Sequence, residues 1–134
     1  MPLDPAFLKK VDLFCGLDDK EAEKLAPLFK ERSYTGGEVM AEEGKHGVGF
    51  FVIESGNAKV SVHGDDRRTI GPGSYFGVVA RIDDGPRTAT VTAEDDVKAH
   101  VLVAWDFRAL VKEEPELAWG LLRGVAGILR ERDA

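Results

Sequence analysis

The segment Gly71-Pro72-Gly73-Ser74-Tyr75-Phe76-Gly77 runs through a short loop to Pro86-Arg87-Thr88-Ala89. Gly77 frees the backbone at the start of a short helical turn. The N–H groups of Gly77, Val79 and Ala80 then face outward as an anion site. Past the loop, Pro86 stiffens a turn and sets Arg87 at the mouth of a strand. A guanidinium beside a helix N-terminus makes a strong phosphate cradle, because its fork matches two phosphate oxygens. Thr88 adds a hydroxyl donor. The chemistry on offer is capture of a small phosphate.

Other chemistries find less support. His46, His63 and His100 fall in different elements, and no two have ligand spacing, so no metal site is expected. A metal oxygenase on a cupin-like sandwich would need clustered His and Glu ligands. No Ser-His-Asp, Cys-His or paired-carboxylate frame is present, so the expectation is no catalytic residue and no enzyme.

The elements that must position the cradle read as helix, strands, helix. Asp18 with Glu21 resembles a capping box, opening a helix with Ala22, Leu25 and Leu28 on one face. Pro27 ends or distorts it. From about Phe29 to Val103 the chain is strand-like. Phe50-Phe51-Val52-Ile53 is an apolar run between Gly49 and Gly56. Ala58, Val60 and Val62 alternate with polar residues, the period of a half-buried strand. Gly64-Asp65-Asp66 reads as a turn into a strand over Arg67 to Ile70. Thr88 to Ala93 and Val97 to Val103 are two more strands, with the acidic turn Glu94-Asp95-Asp96 between them. Trp105 to Val111 reads as a short helix, and Pro115 suits the first turn of another. Leu117, Leu121, Leu122, Val125, Ile128 and Leu129 form one apolar stripe at helical spacing. Many short strands at close spacing predict an antiparallel sandwich or barrel with flanking helices.

The stretch from Gly71 to Ala89 resembles the phosphate-binding cassette of the cyclic nucleotide-binding domain family. The likeness extends over nearly the whole chain, through the glycines at 37, 44, 56, 71, 73 and 77 in the family's order. It implies a mainly β fold: an antiparallel β-roll or jelly-roll sandwich with N-terminal helices, a short cassette helix and a C-terminal lid helix. The matching ligand-binding positions are Phe76, Gly77, Val78, Val79, Ala80, Arg87, Thr88 and Ala89. Arg87 would pair with the cyclic phosphate, and Thr88 with the amides of Gly77 and Ala80 would complete its cradle. The purine would lie near the closing helix, with Trp119 and Leu122 as lid residues. Thr88 after the arginine occurs with both nucleotides in the family, so cAMP and cGMP both stand as ligands. No other cofactor is implied.

The family's cassette glutamate, which accepts the ribose 2′-hydroxyl, is replaced by Val78, and Arg81 stands at a usually apolar position. A hydrogen bond to a charged group contributes about 1.5–3 kcal/mol. Its loss predicts about 10- to 150-fold weaker binding, with Arg87 still the anchor. A ligand without a free 2′-hydroxyl, or another small phosphate, fits the valine better. Glu42, Glu43 and Asp95 are the carboxylates considered as replacements.

The remaining expectations concern setting. The 134 residues make one domain, 1–134, able to bury roughly two-thirds of its unfolded surface. A net charge of −6 speaks against nucleic-acid binding. No long apolar window predicts a membrane span and no leader is evident, so the expected setting is cytoplasmic. Cys15 is alone, expected half-buried, and forms no internal disulfide. The chain stops after the closing helix without a helix-turn-helix, kinase or channel segment. Its output is therefore expected to go to a protein partner, with a homodimer through the last helix as one form, or the chain is a piece of something longer. The competing expectation is a degenerate copy that keeps the fold, binds no nucleotide and acts as a protein-interaction module.

Overall fold

The computed structural model describes residues 3–45, 49–76 and 89–133. Asp4 caps helix α1 (Pro5–Lys9) by accepting the Ala6 N–H at 2.9 Å, and Pro5 starts it with φ already set. A 3-10 turn follows over Asp12–Phe14. Helix α2 (Asp19–Leu25) opens on the expected capping box. The Asp18 carboxylate accepts from the Glu21 amide at 2.8 Å, and the Glu21 carboxylate accepts from the Asp18 amide at 2.9 Å. Pro27 ends it as a 3-10 turn over Ala26–Leu28.

Eight described strands follow: β1 (Lys30–Tyr34), β2 (Val39–Ala41), β3 (Gly49–Ser55), β4 (Ala58–Val62), β5 (Asp65–Ile70), β6 (Tyr75–Phe76), β7 (Thr90–Ala93) and β8 (Val97–Val103). They form two antiparallel sheets, ordered β1-β8-β3-β6 and β2-β7-β4-β5. Helices α3 (Ala104–Glu113) and α4 (Pro115–Asp133) close the chain. The expected sandwich with flanking helices is therefore present. The expected cassette helix falls outside the described residues.

Two cores explain the two hydrophobic patterns. Between the sheets, Phe51, Ile53, Ala58, Val60, Ile70, Val91, Val97, Ala99 and Val101 pack together. On the far side of the first sheet, Val52 and Leu102 meet Leu8, Leu13, Phe14, Leu17, Leu25 and Leu117 from the helices. β3 and β8 are thus buried on both faces, which is why they read as unbroken apolar runs. β4 covers only one core and alternates, with Ala58 and Val60 buried and Lys59 half-buried between them.

Three expectations change. The β4–β5 turn is His63-Gly64, with φ of 53° and 82°, and Asp65 and Asp66 already belong to β5. Two central residues with positive φ make the two-residue hairpin whose twist matches its strands. Glu43 holds the unusual His63 conformation, accepting from its amide at 2.8 Å and meeting its Nδ1 at 3.0 Å. The apolar stripe of α4 divides: Leu117 and Leu121 are buried and Val125 and Ile128 half-buried, but Leu122 and Leu129 are exposed. Cys15 is exposed, because its neighbours Phe14 and Leu17 take the inward positions.

Candidate functional site

The two ends of the phosphate segment are anchored on different sheets. At the first end, Tyr75 and Phe76 form β6, with Phe76 opposite Phe51 and Tyr75 opposite Val52. The Phe76 ring stacks on Phe51 with centroids 4.6 Å apart and planes 9° apart. At the second end, Ala89 leads into β7, an interior strand of the other sheet. Thr90 pairs with Ser61, and its hydroxyl accepts the Glu43 amide at 3.0 Å. Phe76 and Ala89 both pack against the core between the sheets. Phe76 thus ends the edge strand of one sheet and Ala89 precedes an interior strand of the other, both against that core. Gly77, Val78, Val79, Ala80, Arg87 and Thr88 lie outside the described residues.

Three carboxylates stood as replacements for the missing glutamate, and each has other partners. Glu42 pairs with Lys45 at 3.1 Å. Glu43 holds His63. Asp95 accepts from the Asn57 amide at 2.7 Å and from its side chain at 3.3 Å, at the opposite end of β4.

Beside β6 lies a cavity of about 300 Å³. Its walls include Asp12, Arg68, Ile70, Ser74, Tyr75 and Ile128. The closing helix thus reaches the sandwich through Ile128. Trp119 and Leu122 stand on its outward side, 60% and 59% exposed. Sequence reasoning missed Arg68, Asp12 and Ile128.

The first half of α4 is locked to the N-terminal turn instead. A Cβ on Gly120 would stand 2.9 Å from a Leu17 methyl and 3.0 Å from the Gly16 carbonyl oxygen. Gly124 lies as close to the Leu13 backbone. Glycine alone permits this approach of helix to turn.

A buried polar pair lies beneath the helical layer. His100 on β8 is fully buried, and its Nε2 meets a Glu54 oxygen at 2.8 Å. Lys98 joins Glu54 to Glu31, at 3.8 Å and 3.3 Å. Among the described residues no three His, Cys, Asp or Glu side chains gather to hold a metal. No described helix is long and apolar enough to cross a membrane.

Two antiparallel sheets with helices packed on one face define a β-roll sandwich. The profile of the cyclic nucleotide-binding domain family matches residues 31–114, and the chain belongs to that family. It is 41% identical over 92 residues to a cAMP-dependent protein kinase regulatory subunit of Debaryomyces hansenii, covering 68% of this chain and 20% of that protein. It is 31% identical over 131 residues to the cyclic AMP receptor protein of Thermus thermophilus, covering 94% and 61%. The fold matches the N-terminal domain of a transcriptional regulator from Streptomyces coelicolor A3(2), with a TM-score of 0.83 and 31% identity over 95% of this chain and 92% of that one. The chain thus spans less than two-thirds of either curated relative. The first is by name a regulatory subunit and the second a cyclic AMP receptor.

Proposed function

We propose that this chain is a cytoplasmic regulatory domain, 1–134, that binds a cyclic nucleotide with its phosphate on Arg87 and signals to a protein partner through α4. The observation that carries this reading is the frame Gly77 to Pro86-Arg87-Thr88-Ala89, whose flanking residues Phe76 and Ala89 pack on one core from two different sheets. Relatives named for cAMP dependence and cAMP reception support the ligand class. Val78 weakens the site without removing its phosphate anchor.

Calorimetric titration of cAMP and cGMP tests the reading, with Arg87→Ala and Val78→Glu as variants. Expected are weak binding in the natural chain, none in Arg87→Ala, and tighter binding in Val78→Glu. Equal affinity for cAMP and its 2′-deoxy analogue would support loss of the 2′-hydroxyl contact. Thermal shift is the cheap companion, since ligand at about 100 times its dissociation constant adds about 2.7 kcal/mol. Silence of every nucleotide on the natural chain would refute the reading.

One observation favours the alternative of a degenerate module that makes protein contacts only. Trp119, Leu122, Ala126 and Leu129 lie exposed at three- and four-residue spacing along the outward side of α4. That is the spacing by which two helices pair, and a second copy of the chain is the occupant it fits. Leu122→Lys would then shift the sedimentation of the natural chain from dimer to monomer. A natural chain that sediments as a monomer refutes the pairing.

A further inference from the structure

We infer that Glu43 is a positioning residue for the nucleotide phosphate, because it fastens Thr90, three positions past Arg87, to the β4–β5 turn. This rests on the nucleotide reading and deepens it. Glu43 stands in a four-residue turn after β2. The Lys45 amide donates to the Glu42 carbonyl at 3.2 Å, and Gly44 has a φ of 84°, as the third position of a type II turn demands. The Glu42–Lys45 ion pair spans the same turn. From this turn the Glu43 amide donates to the Thr90 hydroxyl at 3.0 Å. The Glu43 carboxylate accepts from the His63 amide at 2.8 Å and lies 3.0 Å from its Nδ1. One residue thus joins the chain after β2, the β4–β5 turn and the start of β7.

Thr90 is the first residue of β7, and its backbone pairs with Ser61. A strand end frays unless further contacts hold it. The hydroxyl adds one on the outer face of the sheet, where Thr90 and Thr92 project while Val91 and Ala93 are buried. A guanidinium that must meet two phosphate oxygens tolerates little displacement of the backbone that carries it. The bond to Thr90 therefore sets where the chain leaves the phosphate segment.

The plainer reading is that Glu43 only holds the β4–β5 turn. His63 gives that reading weight, since among the described residues it alone combines a side chain with positive φ. Holding the turn, however, uses only the carboxylate. The amide bond to Thr90 contributes nothing to it, and that bond is the one that reaches β7. Coupling of this kind is reciprocal, so a nucleotide held on Arg87 also steadies the Glu43 amide.

The test is calorimetry with cAMP and cGMP on the natural chain, Thr90→Val, Thr90→Ser, Glu43→Ala and the double variant Glu43→Ala, Thr90→Val, with thermal melts to check folding. Thr92→Val, on the same face of β7, is the control. Loss of one neutral hydrogen bond predicts about 2- to 12-fold weaker binding in Thr90→Val. Thr90→Ser, which restores the hydroxyl, should recover it. Glu43→Ala should also weaken binding, and the double variant should be no weaker than the weaker single one. Bound nucleotide should slow hydrogen exchange at the Glu43 amide in the natural chain. Natural affinity in Thr90→Val, an equal loss in Thr92→Val or additive losses in the double variant overturn positioning alone. So does unchanged exchange at Glu43 with nucleotide bound, a measurement that needs no variant. Failure of both nucleotides to bind the natural chain overturns the nucleotide reading itself, and positioning with it.

Discussion

Phe76 lies flat on Phe51, ring on ring at 4.6 Å, so the last strand residue before the phosphate segment is fixed to the middle of the sandwich core. Tyr34 also packs on Phe51, with centroids 6.4 Å apart and planes tilted by 56°. Truncating Phe76 therefore acts on both stability and site. Phe76→Ala should lower unfolding free energy by about 1–3 kcal/mol, because the ring is only half-buried. Phe76→Leu keeps apolar contact but loses stacking, about 0.5–1.5 kcal/mol. Urea unfolding measures both. Unchanged stability in Phe76→Ala would show that the ring does not hold β6.

His100 and Glu54 make the second prediction. The ionised carboxylate of Glu54 can only accept, so Nε2 is the donor. Nδ1 is then a buried acceptor, and among the described residues no hydrogen-bond partner reaches it. Glu54→Ala would strand the whole imidazole and should cost about 1–3 kcal/mol. Glu54→Gln keeps an acceptor and should cost less. In the double variant His100→Leu, Glu54→Ala, both polar partners are gone, and stability should return toward that of the natural chain. An additive double variant would refute the coupling.

The same strands show how far sequence carries. β8 was legible to the residue, Val97 to Val103, because its apolar run is bounded by the acidic turn and a helix. The capping box of α2 was legible because both partners lie three residues apart. The β4–β5 turn was not, since His63 adopts positive φ with support from Glu43, twenty residues away in sequence. That displacement hid more than a turn. With the turn placed at Gly64-Asp65-Asp66, the register that sets Arg68 opposite Val60 does not appear. Asp12 and Ile128 reach the cavity beside β6 only through tertiary packing of the ends of the chain. The stripe on α4 failed differently. Helical period detects apolar faces but does not say which of two is covered.

The third prediction concerns pH. The Lys9 ammonium, bonded to Asp19, holds that carboxyl below its ordinary 3.8. A depressed carboxyl stabilises the fold above its ordinary value, and the contribution is lost as pH falls through the lowered one. Lys9→Met should return Asp19 to the ordinary range, read by carboxyl chemical shift during titration. Because Asp19 is fully exposed, the melting temperature at neutral pH should hardly move. An Asp19 titration identical in both proteins would refute the pair.

Two glycines three residues apart on α4 should respond in opposite directions to the same change. A methyl on Gly124 would collide with the Leu13 carbonyl oxygen and lie 3.0 Å from its carbon, and backbone atoms cannot swing aside. The overpacking cost, about 1–3 kcal/mol, should outweigh the roughly 1 kcal/mol by which alanine favours a helix. Gly127 has nothing within 4 Å of its added methyl, so Gly127→Ala should gain about 0.5–1 kcal/mol. The pair separates tertiary contact from helix preference, because both variants share the second. Gly124→Ala should also displace the turn that carries Asp12, whose carbonyl oxygen lies 3.4 Å from the new carbon. Equal gains in stability at both positions would mean that α4 does not lie against the turn and can lift from it freely.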